Sequence, residues 1–348
     1  MLERDSELWD LFTKKEEYSP DKLDKHNRFS YAISKHKDIF DPAVSKFLLA
    51  DGSDIKYPED RKFAVCLTHD IDDIYPPLRH MLVSSLYSIK HLNFNDIKSQ
   101  TLWIIKGKKH SPYLNFNHIM DIENKYDAKS SFYFITAPKD PLRFRYNIED
   151  IEHELGEVLD NGCEVGLHGG YYAYDSFENI KNEKERLETV LGKRVIGYRN
   201  HYLRFKVPDT WELLVKAGFK YDTSFGYADM IGFRNGMCHP FKPYNLDKNE
   251  TIDILEIPLV IMDGTLFSYS KSFNDAFENA KRLIDTVERY NGVITILWHN
   301  NTFSWPAMKY WERLYEKILE YCHSKNAWIT SGEEICNWWE KEGKLPIY

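Results

Sequence analysis

From residue 63 onward, short apolar runs alternate with amphipathic stretches, and this rhythm restricts the fold more than any other feature of the chain. Strand-like runs fall at 63–68 (FAVCLT), 131–136 (SFYFIT), 163–167 (CEVGL), 195–198 (VIGY), 219–222 (FKYD), 253–260 (DILEIPLV), 293–298 (VITILW) and 327–330 (AWIT). Helical spacing separates them at 147–161, 176–191, 273–290 and 306–324. In 273–290, for instance, Phe277, Ala280, Leu283, Ile284 and Val287 share one face. SGEE at 331–334 predicts a capped start for a last helix. Gly162, Gly192 and Gly218 stand where helices should stop. Such a series predicts a parallel-stranded α/β barrel, with a doubly wound sheet as the second choice. Residues 1–60, rich in Lys and Asp, read as an N-terminal extension of short helices with Leu8, Leu11 and Phe12 on one face. Residues 61–348 hold the barrel, and 81–116 interrupt the rhythm as an insertion.

In both folds, polar residues just past the strands' C-terminal ends mark the site. The first strand runs into His69, Asp70, Asp72 and Asp73, three carboxylates that repel one another unless a positive charge sits among them. The other ends carry His168, then Arg199 with His201, then Asp222, Asp263 and His299. Single polar groups at such places are usually caps, but six ends bearing acid, imidazole or guanidinium are not explained that way. Asp and His donors suit a divalent cation, zinc first, which offsets the repulsion and acidifies a bound water. A nearby second carboxylate serves as a base, and a histidine across the pocket serves as an acid.

LTHDIDD resembles the first motif of the polysaccharide deacetylases, in which a general-base Asp is followed closely by a metal-binding Asp. The resemblance implies Asp70 as base and Asp72 as ligand, with Asp73 as the fallback ligand. EVGLHGGYY is similar to the second motif and makes His168 a ligand; GYRNH is similar to the third and pairs Arg199 with the base. YDTSFGY resembles the fourth, with Asp222 orienting the acid, and ITILWHN the fifth, with His299 as that acid. The match spans roughly residues 61–335. It implies a distorted (β/α) barrel of about seven or eight parallel strands with an N-terminal helical extension. The second motif departs from the family at Tyr172, where a second histidine ligand is normal. His201 is the substitute, with Asp175 or water as alternatives. HYLRF, GFRNGMCHPF and LEIPLVIMDGTL are similar to the subgroup tied to surface-polysaccharide and O-antigen gene clusters. Arg204, Arg234 and His239 are expected substrate contacts, since guanidinium forks suit acidic or hydroxylated sugars. Tyr172 and Trp298 are expected to stack on sugar.

The implied activity is removal of an acetyl or other small acyl group from an amino sugar: nucleotide-linked, lipid-linked or an oligosaccharide. Two alternatives stand beside it: hydrolysis of a cyclic or non-sugar amide, and a catalytically inactive carbohydrate-binding protein. A net charge of −8 argues against a general nucleic-acid binder. The five widely spaced cysteines read as reduced core residues. The first residues, MLERDSELWDLF, contain no apolar core of signal-peptide length, and no segment approaches a membrane span, so the expected location is the cytoplasm.

Overall fold

Nine parallel strands form the main sheet of the computed structural model, which describes residues 2–50, 55–90, 103, 105–138, 145–305 and 308–342. Part of the predicted insertion, 91–102 and 104, lies outside the described residues. The strands are β1 Phe63–Ile71, β2 Ser131–Ile135, β3 Glu164–Gly169, β4 Gly197–Asn200, β5 Tyr221–Asp222, β8 Leu255–Glu256, β9 Leu259–Met262, β10 Val293–Leu297 and β11 Ala327–Thr330. A separate antiparallel hairpin, β6 Tyr244–Asn245 with β7 Glu250–Thr251, stands apart from them. The order is β8-β5-β4-β3-β2-β1-β10-β9, with β11 joined to β1. The sheet curls through 270° into a half-barrel flanked by helices, the distorted α/β barrel that the alternation predicts.

β1 is the axis of this arrangement. All nine of its residues are buried, as expected of a parallel strand covered on both faces. It pairs with β10 along Ala64–Thr68, with β11 along Phe63–Cys66, and with β2 along Thr68–Ile71. β11 and β2 therefore share one edge of β1 in tandem. The run at 253–260 is two strands rather than one, broken at Pro258, which has no N–H to give to a ladder.

The helices carry their own punctuation. Ser176 and Ser272 accept from the amides of Asn179 and Asp275 at the starts of Phe177–Leu191 and Phe273–Arg289. Ser331 Oγ accepts from the Glu334 amide at 3.2 Å, and Gly332–Glu342 follows. Gly192 closes its helix at φ 68°, a left-handed conformation that suits glycine. All five cysteines are buried and unpaired.

The first fifty residues wrap onto the barrel. Phe12 packs against Phe241, and Trp9 against Tyr244. Lys14 donates to the Tyr227 hydroxyl at 3.0 Å, and the Val44 amide to the Gly236 carbonyl at 3.0 Å.

Candidate active site

Strand pleating sorts the residues of β1 to opposite sides. His69 turns into the helical layer, where Nδ1 donates to the Trp298 carbonyl and Nε2 meets Glu123 at 2.7 Å. Asp70 turns the other way, and Asp72 follows it one residue beyond the strand end. Asp73 pairs with Arg145 at 3.2 Å instead of joining them, so the fallback ligand is elsewhere engaged.

Asp72 Oδ1 lies 3.2 Å from His168 Nε2 and 3.5 Å from His201 Nε2. His168 Nδ1 is 2.9 Å from the Arg199 carbonyl, so that nitrogen carries the proton and Nε2 presents a lone pair. Donor atoms of Asp72, His168 and His201 all fall within 4.8 Å of one another. Asp72 Oδ1 is buried without a hydrogen-bond partner. A tetrahedral ion with bonds of about 2.0–2.1 Å sets its ligands roughly 3.3 Å apart, so these residues fit such a cation. Burial pushes the Asp72 carboxyl up, but the neighbouring imidazoles of His201, His168 and His299 hold it well below the ordinary range.

His201 reaches this position through a backbone that few residues adopt. Tyr202 and Leu203 follow it at φ 62° and 52°, two successive non-glycine residues in the left-handed region. Tyr172, which occupies the family's second-histidine position, is 50% exposed and does not line the cavity. Asp175 is exposed as well.

Asp70 lies 3.6 Å from His168 Nε2 and 3.8 Å from Arg199 Nη1. Arg199 is fully buried and held by Thr223 and Thr68 hydroxyls at 2.9 and 3.1 Å, which aims Nη1 at the carboxylate. Across the cavity, His299 Nε2 stands 4.0 Å from Asp72 Oδ2. Its Nδ1 meets Asp263 Oδ1 at 2.8 Å, and its amide donates to Asp263 Oδ2 at 2.9 Å. Burial pulls the imidazole pKa down, yet the Asp263 charge and hydrogen bond, backed by Asp72 and Asp70, raise it to about 10.

Five sequence expectations are corrected by this geometry. Asp222 does not orient His299; Asp263 does, because β9 and β10 are neighbours whereas β5 lies on the far arm of the sheet. Asp222 instead faces Glu256 across the β5–β8 pair and accepts from Ser224 at 2.6 Å. Arg204 is buried over the rings of Tyr171 and Tyr174 and donates to the His26 carbonyl at 2.7 Å. Arg234 is buried against Glu17 and the Gly226 carbonyl. Both are clasps on the N-terminal segment rather than substrate contacts. Trp298 is fully buried beside Tyr315 and faces no substrate. His239 is likewise enclosed, and its pKa is lowered to about 4 by burial.

Asp70, Asp72, His168, His201 and His299 line one cavity of about 240 Å³ with Tyr202, Leu203, Ala228, Met262 and Arg28. The apolar wall and Arg28 are absent from the sequence reading. Nothing in the local sequence marks them, since each owes its place to a distant fold contact.

Against known proteins, the architecture has clear counterparts. No protein-family model matches the sequence, and no curated protein matches it at the sequence level. Among solved structures, a Mycobacterium smegmatis protein assigned as a polysaccharide deacetylase superimposes with a TM-score of 0.54 at 15% identity, over 82% of this chain and 92% of that one. A protein of Pseudomonas aeruginosa PAO1 with the same assignment gives 0.55 at 14%, over 85% and 98%. The Puue allantoinase gives 0.54 at 16%, over 85% and 98%. The chain therefore has the fold of the polysaccharide deacetylases, a fold that an allantoinase shares.

Proposed function

We propose that the protein is a metal-dependent hydrolase that removes an acetyl or other small acyl group from an amino sugar, an intermediate of surface-polysaccharide biosynthesis. One observation carries this reading: a base, a three-donor metal cradle and an acid from four separate strand ends face one small cavity. Asp72, His168 and His201 would hold a zinc ion, which would supply Lewis-acid chemistry toward a water and the acyl carbonyl.

The chain's own groups do the rest. Asp70 accepts the proton of the attacking water, and Arg199, 3.8 Å away, orients that carboxylate. His299 is protonated at neutral pH, with one N–H on Asp263 and the other on Nε2 for the departing nitrogen. Leu203, Ala228 and Met262 offer an apolar seat for the acyl methyl. A cavity of about 240 Å³ is smaller than the usual ligand site of roughly 300–1,000 Å³, which suits one buried sugar unit.

The test is acetate release from N-acetylated nucleotide sugars by zinc-loaded protein. Release that vanishes in Asp70→Asn supports the reading, and none from the wild type sinks it. The allantoinase likeness, as high as that to the deacetylase-assigned proteins, favours one second reading: opening of a cyclic amide. Ring-opening of hydantoins without acetate release would select it.

A further inference from the structure

We propose that Arg28 is a specificity-determining residue that makes the cavity select a substrate carrying an anionic group, a phosphate or a carboxylate, next to the acylated nitrogen. The location of the substrate rests on the hydrolase reading, but the anion site is testable without it.

Arg28 belongs to the N-terminal segment, not to any strand end. It is nevertheless a lining residue of the cavity that holds Asp70, Asp72 and His299, and among the described lining residues it is the one Lys or Arg. The surrounding segment is built into the wall rather than draped over it. His26 Nδ1 meets the Tyr171 hydroxyl at 3.1 Å, its ring stacks on Tyr202 at 4.7 Å, and its carbonyl takes the Arg204 guanidinium. Asp24 Oδ1 receives the amides of His26 and Arg28.

The guanidinium is fixed but not saturated. Nε and Nη2 meet Asp24 Oδ2 at 2.8 and 2.7 Å, and Nη1 donates to the Tyr202 carbonyl at 2.7 Å. A guanidinium has five N–H donors, so these bonds leave two on a side chain that is 18% exposed. A fork with two remaining donors, held still by its partners, matches the paired oxygens of a phosphate or carboxylate. Beside it the cavity carries the Asp70 and Asp72 carboxylates, so a neutral sugar leaves these two donors without an anion. An anionic sugar pairs with them.

A purely structural clasp makes a different prediction, and calorimetric titration of the zinc-loaded full chain separates the two. The probes are N-acetylglucosamine, N-acetylglucosamine 1-phosphate and N-acetylgalactosaminuronic acid. The wild type should bind at least one anionic sugar about ten-fold tighter than the neutral one. Whichever arm tightens identifies phosphate or carboxylate as the group. Arg28→Met should erase that gap, and Arg28→Lys should keep part of it. Equal binding of all three sugars by the wild type overturns the proposal, as does a gap that survives Arg28→Met. Should Arg28→Met lose its fold, Arg28→Gln decides: it should narrow the gap, and a gap as wide as the wild type's overturns the proposal. Acetate release from the same sugars keeps the two readings apart. An Arg28-dependent gap without acetate ends the hydrolase reading and leaves the anion site. Acetate released with equal KM from all three does the reverse.

Discussion

The two ends of the barrel interior both bury carboxylates, and they treat them in opposite ways. Near the strands' starts, Glu164 accepts from the Ser131 hydroxyl at 2.6 Å, the Tyr221 hydroxyl at 2.6 Å and the Glu333 amide at 2.9 Å. At the strands' C-terminal ends, Asp70 Oδ1, Asp72 Oδ1 and Arg199 Nη1 are buried with no hydrogen-bond partner. A satisfied buried group holds a fold together, whereas orphaned ones cost free energy that something else must offset. The contrast separates architecture from active site without reference to any relative. Burial raises the Glu164 pKa to about 7 against the pull of its donors, while the surrounding imidazoles hold the Asp72 carboxyl well below the ordinary range.

The largest test of the contrast is Asp70→Asn. It should cut acyl release by about 10²–10⁴-fold, as removal of a general base does, with the melting temperature little changed, since Asp70 Oδ1 holds no hydrogen bond. A large drop in melting temperature would instead make Asp70 architectural. Next comes metal content. Elemental analysis should find close to one zinc per chain in the wild type and less than about a tenth of that in Asp72→Ala, His168→Ala and His201→Ala. Tyr172→Ala should keep the ion. Retention in His201→Ala would remove His201 from the cradle.

At the other end, Glu164 should govern stability against pH. Its folded value of about 7 lies above the ordinary 4.5, so the folded chain holds the extra proton between those values. Its contribution is therefore present below pH 4.5 and lost as pH rises toward 7, by roughly 3 kcal/mol at most. Glu164→Gln should flatten that part of the profile in denaturant titrations at pH 5 and 7.5; an unchanged slope would show that Glu164 is already ionised. The smallest effect is expected of Asp263→Asn. It removes the charge that raises His299, so the alkaline limb of kcat should move to lower pH by a unit or more, with kcat near neutrality down about ten-fold. A limb that stays in place would leave Asp263 without a part in the acid's chemistry.

Much of this contrast is legible in the sequence where it depends on single strands. LTHDIDD puts Asp70 and Asp72 two residues apart on one side of the chain, and the strand ends at 168 and 299 stand in plain view. What depends on strand order is not legible. Nothing in YDTSFGY or IMDGTL says that β9, and not β5, lies beside β10, so Asp222 receives the part that the structure gives to Asp263. Trp298 is misread for a related reason: it neighbours His299 in sequence but points to the opposite side of its strand. Arg204 and Arg234 look like solvent-facing forks until the first thirty residues are folded against them, across separations of 178 and 217 residues. Arg28 is invisible for the same reason, since only the returning barrel brings Tyr202 to it.

Those same separations impose an order on synthesis. Glu17 and Arg28 leave the ribosome early, while Arg234 and Tyr202 follow 217 and 174 residues later. At about 5–20 residues per second, the wait for Arg234 is roughly ten to forty seconds. Throughout it, Glu17 waits without Arg234, and Arg28 has Asp24 but not Tyr202. The candidate site is thus complete only once residue 299 has been made, late in the synthesis of the chain.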